Sequence, residues 1–98
     1  MGIRVLVQMT AKDGRSDELA ARLEARARSV STETGCIQFE PFRSISDGNR
    51  FVIVELWANE DDLAAHAELT KLSDTTVIDE LVSDEAQLRE DYEFSRLR

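Results

Sequence analysis

The chain has 98 residues, 20 of them acidic and 12 basic, for a formal charge of −8, which suits one domain spanning 1–98. This balance excludes a phosphate-backbone partner, and no apolar run approaches the roughly 18 to 20 residues that a membrane span needs. No signal-peptide pattern opens the chain and Cys36 has no cysteine partner, so a reducing cytoplasm is the expected location.

Residues 3 to 10 alternate as a first strand, with Ile3, Val5, Val7 and Met9 on one face and Leu6 on the other. Asp13-Gly14 ends it, and Ser16-Asp17-Glu18 starts a helix. Leu19, Ala20, Leu23, Ala27 and Val30 then recur at helical spacing to about Thr34, with Gly35 as the left-handed C-terminal residue. Arg22, Arg26 and Arg28 cluster on this helix. Glu18 and Glu24 stand four residues before Arg22 and Arg28, the spacing of ion pairs on a solvated face, so no nucleic-acid partner is expected.

Residues 36 to 45 form a second strand with Ile37, Phe39, Pro41, Arg43 and Ile45 facing one way, and Pro41 predicts a sheet edge. Asp47-Gly48 signals a hairpin into a third strand, 51 to 58. That strand is apolar on both faces, Phe51, Ile53 and Trp57 on one and Val52, Val54 and Leu56 on the other, as a central strand is. Asn59 caps a helix with Glu60, Asp61 and Asp62 in its first turn. After a break near 72 to 74, Val77, Ile78, Leu81 and Val82 form the apolar face of a further helical turn or two. Leu88, Tyr92 and Phe94 alternate with charged residues as a last, edge strand.

The order βαββαβ predicts an α+β, ferredoxin-like subunit with an antiparallel sheet and the first and third strands central. Its helices cover one sheet face only. The face carrying Leu6, Val52, Val54 and Leu56 needs other cover, and a homodimer is the simplest.

Glu55 and Trp57 share a strand face, and the following helix brings His66, the single histidine, towards them. A carboxyl among Ile53 and Trp57 is expected to be desolvated, with His66, Arg43 or Tyr92 as its candidate donors. A zinc site would rest on His66 and Cys36 alone, and no glycine-rich phosphate loop or nucleotide fingerprint occurs, so no metal or cofactor is expected.

The Lys12-Asp13-Gly14 turn, the Thr34-Gly35-Cys36 strand entry, Glu55-Leu56-Trp57 and the Ala65-His66 pair, in this order and spacing, resemble the antibiotic-biosynthesis-monooxygenase family. The resemblance implies a dimeric α/β barrel with a tryptophan at position 57 set against a ligand cavity. Several members oxidise quinols or phenols with dioxygen and no prosthetic group. It therefore implies a cofactor-independent monooxygenase acting on a small aromatic or quinol-like compound. His66 would be general base or partner of an ionised phenol, Trp57 would flank the substrate, and Glu55 would orient His66. Val7, Phe39, Ile53 and Tyr92 are the further substrate contacts expected. The alternative is a non-catalytic small-ligand-binding dimer. A haem-degrading branch of the fold is disfavoured, because its first-strand asparagine corresponds to Val7 and no histidine follows His66.

Overall fold

Alternating apolar residues build a four-stranded antiparallel sheet of order β2-β3-β1-β4. A computed structural model describes residues 2–83 and 88–94, with the side chains of 92–94 left aside. The strands are β1 (Gly2–Thr10), β2 (Cys36–Arg43), β3 (Arg50–Trp57) and β4 (Leu88–Phe94), and the helices are α1 (Ser16–Val30), α2 (Glu60–Leu72) and α3 (Thr76–Leu81). The architecture is α+β and ferredoxin-like, with β1 and β3 central and the Pro41 strand at an edge, as expected.

Period-two alternation gives the sheet two rows of unlike burial. On the helix side Val5, Phe51, Ile53, Glu55 and Trp57 are buried. On the other side Leu6, Val52, Val54 and Leu56 stay half-buried. Leu19, Leu23 and Val30 of α1 pack against the first row, joined by Leu81 at the end of α3.

Several boundaries differ from the sequence reading. Helix α1 does start at Ser16, as expected, though without a side-chain cap. The helix stops at Val30, where the Ser31 hydroxyl donates to the Ala27 carbonyl and the Thr32 hydroxyl to that of Ser29. Gly35, at φ 78°, therefore closes the turn into β2 and does not cap α1. Only glycine fits there, because an added Cβ would meet the Asp62 side chain.

In β2 a register shift between Cys36 and Gln38 pushes Ile37 out of the ladder, leaving it 62% exposed. The strand ends at Arg43 and Ile45 is fully exposed, so the expected common face keeps Phe39 inward and loses Ile37 and Ile45. On α1 the Glu24–Arg28 pair forms at 2.8 Å, but Glu18 pairs with Arg15, not Arg22. No described helix is long and apolar enough to cross a membrane.

Candidate functional site

The inner row of β3 ends in Ile53, Glu55 and Trp57, and α2 crosses above it. Asn59 starts that helix by accepting the Asp62 N–H at 2.9 Å, and three acidic residues follow where the helix dipole favours them. No residue of α2 is fully buried. The helix thus stands off the sheet and leaves a cavity of about 390 Å³. Ile53, Phe39, Leu63 and Met9 supply apolar wall, and Glu55 and His66 polar wall. A second hollow of about 450 Å³, bordered by Phe42, Val52 and Leu88, has no histidine or carboxylate in its lining. The Glu55 cavity is where the chemistry-bearing groups converge.

Trp57 is completely buried, and its indole N–H donates to Glu55 Oε1 at 2.9 Å. Its ring stacks on that of His66, centroids 4.5 Å apart and planes at 26°. Phe39 meets the imidazole edge-on at 5.9 Å. His66 Nδ1 lies 2.8 Å from Glu33 Oε1, and its Nε2 lies 4.0 Å from Glu55 Oε1. In the tautomer where Nδ1 donates to Glu33, Nε2 is left as the acceptor on the Glu55 side of the ring.

Glu55 is 5% exposed, and burial pushes its carboxyl above the usual range. The Trp57 N–H, His66 and Arg89 pull it back in part, and Asp91 pushes it further up. Burial also raises the Cys36 thiol, with Glu33 and Glu55 adding to the effect, so this cysteine is a poor nucleophile and sits as a small strand residue.

The expected residues distribute unevenly. His66, Glu55, Phe39 and Ile53 meet at the cavity. Val7 belongs to the same sheet row, in register with Ile53 and Arg89, without being part of the cavity lining. Trp57 is fully buried behind the His66 ring and is not part of the cavity lining. Tyr92 sits opposite Arg4, in the row on the other sheet face, so its strand position is not on the Glu55 side. Arg43 donates to Asp17 and Gly48 and covers the Phe51 ring, so the donor to Glu55 is Trp57.

Glu33 was not foreseen. It lies in a polar turn, where a carboxylate reads as solvated surface. The available signal was indirect: a left-handed Gly35 that folds this turn against α2, with the Ala58 N–H bonded to the Gly35 carbonyl at 2.8 Å. Arg26, Thr70 and Arg89 at the cavity were missed as well. Among the described residues, no three His, Cys, Asp or Glu side chains group as metal donors.

The sequence pattern described as antibiotic biosynthesis monooxygenase matches residues 2–75. The chain belongs to that family. Among solved structures, a conserved protein of unknown function from Bacteroides thetaiotaomicron is 26% identical, with a TM-score of 0.78 over 95% of this chain and 97% of that one. A protein from Shewanella oneidensis is 25% identical, with a TM-score of 0.78 over 93% of this chain and 88% of that one. A variant of SnoaB, a cofactor-independent oxygenase from Streptomyces nogalater, is 15% identical and shares the fold, with a TM-score of 0.80 over 98% and 95% of the two chains. No curated protein matches the sequence significantly.

Proposed function

We propose that this family member is a cofactor-independent monooxygenase that oxidises a small phenol- or quinol-type compound with dioxygen in the Glu55 cavity. The observation that supports it is the array Glu33–His66–Glu55, half-buried to buried, at a cavity that also offers the apolar wall of Phe39, Ile53 and Leu63. His66 Nε2 would take the proton of the substrate hydroxyl, and Glu33 would stabilise the imidazolium that forms. The resulting anion gives an electron to dioxygen, and recombination makes a carbon–oxygen bond in a hydroperoxide. Loss of water then leaves a carbonyl, so a CH₂ centre and O₂ become C=O and H₂O. Glu55, raised by burial, can hold a proton where an exposed glutamate is ionised, and would return it to the leaving oxygen. Glu33 and Trp57 act through His66 and are positioning residues.

Oxygen uptake by metal-free protein with reduced quinones, anthrones and substituted phenols tests this reading. His66→Ala should lower the rate by about 10²- to 10⁴-fold, the usual worth of general-base assistance. Glu33→Gln should lower it less and change the pH profile. No uptake across the panel, with saturable binding intact, would leave a ligand-binding protein in place of an enzyme.

A further inference from the structure

Arg26 stands three residues after Leu23 and four before Val30, on the stripe of α1 that is otherwise buried and apolar. Its guanidinium reaches across to α2, where Nη2 donates to Thr70 Oγ1 at 2.9 Å. That hydroxyl in turn donates to the His66 carbonyl at 2.9 Å. Arg26 and Thr70 both line the Glu55 cavity. The other charges on the wall are accounted for. The Arg89 fork is taken by Asp91, at 2.9 and 3.2 Å. Asp79 accepts the Thr75 hydroxyl at 3.1 Å. Arg26 is half-buried and has no carboxylate partner among the described residues. A guanidinium offers five N–H donors in a planar fork, and the bond to Thr70 uses one of them.

We propose that Arg26 is an anion-binding residue of this cavity and that the ligand is a small hydroxylated aromatic carboxylate. The inference rests on the reading of the cavity as the ligand site. The acid group would take the free edge of the Arg26 fork, the ring would lie against Phe39, Ile53 and Leu63, and a ring hydroxyl would face His66 and Glu55. Thr70 is four residues of α2 beyond His66, about 6 Å along the axis, which suits the width of a single aromatic ring. A carboxylate also matches a half-buried cation that has no acidic partner among the described residues, because a bidentate pair would engage the donors of the fork that Thr70 does not use.

The test compares 2,5-dihydroxybenzoate with hydroquinone, the same quinol without the acid group, by anaerobic titration calorimetry. In the unmodified chain the acid should bind at least about tenfold tighter, the worth of one charge-assisted pair. Arg26→Met should bring the two affinities together, and Arg26→Lys should keep part of the difference. Equal affinities in the unmodified chain, binding of neither compound, or a preference that survives Arg26→Met would overturn the assignment. The unmodified chain decides the matter even if a variant folds poorly. Oxygen uptake is read separately. Turnover without acid preference removes only the anion site, and acid preference without turnover supports it while removing only the monooxygenase reading.

Discussion

His66 keeps its orientation through three neighbours drawn from different elements: Glu33 in the turn after α1, Phe39 on β2 and Trp57 on β3. Glu55 shares the Trp57 contact and carries the cost of burial. The native chain holds the Glu55 proton to a higher pH than the unfolded chain, whose ordinary value is 4.5. Unfolding then releases a proton between that value and the raised native one, so the stability contributed by this group falls as pH rises through the window. Below the window both states are protonated and the cost vanishes. Glu55→Gln retains an acceptor for the indole N–H and abolishes the titration. It should gain stability relative to the unmodified chain from about pH 4.5 upward and show no such gain below. Thermal melts of both proteins across this range check it, and a difference that does not vary with pH would mean that Glu55 titrates as an exposed carboxyl does. At this scale the pairing of Glu55 with Trp57 on one face was legible from strand periodicity. The partner of His66 was not, because Glu33 is 33 residues away and adjacency of that kind is made by the fold.

The turn 31–35 is the element on which the site depends most, since it carries Glu33 and ends at Gly35. Replacing Gly35 by alanine should cost about 1–2 kcal/mol for the left-handed backbone alone. The displaced Asp62 side chain adds to this, because the new Cβ would occupy its place. Denaturant unfolding should show the loss, and activity should fall more than stability alone explains, since Glu33 would shift away from His66. A Gly35→Ala protein of unchanged stability would contradict the φ and the contact together. Helix α2 and both central strands were readable from their apolar spacing and the Asn59 cap. The Ile37 bulge was not, because a strand with one residue looped out has the same local composition as a regular one.

For the whole molecule, the outer sheet face sets the main requirement. Leu6, Val52, Val54 and Leu56 form a half-buried apolar row that no described helix covers. We propose that a second copy of the chain packs there, as large exposed apolar faces are rarely left to water. Val54→Asp would place an unpaired charge in that contact, at a cost of several kcal/mol of association. Light scattering should find a dimer for the unmodified chain at micromolar concentration and a monomer or aggregate for the variant. A well-folded monomer in the first case sinks the proposal. The Glu55 cavity lies on the opposite face, so loss of the dimer should affect ligand binding less than His66→Ala does.

Local rules were enough to determine the element order, the central position of β1 and β3, the edge placement of the Pro41 strand and the bare outer face. Each follows from side-chain period, proline's missing donor or the small area that these helices can cover, all properties of neighbouring residues. The candidate site was only half determined in this way. Glu55, Trp57 and His66 lie within one strand-to-helix stretch, where spacing alone brings them near one another. Glu33, Arg26 and Arg89 arrive from the turn, from α1 and from β4, and Tyr92 falls in the opposite row by register. Those placements depend on where chain ends, bulges and helix lengths set each element against the next, and a shift of one residue in a strand moves every side chain to the other face. The partner that fixes His66 and the cation that faces the cavity were therefore decided by the tertiary structure.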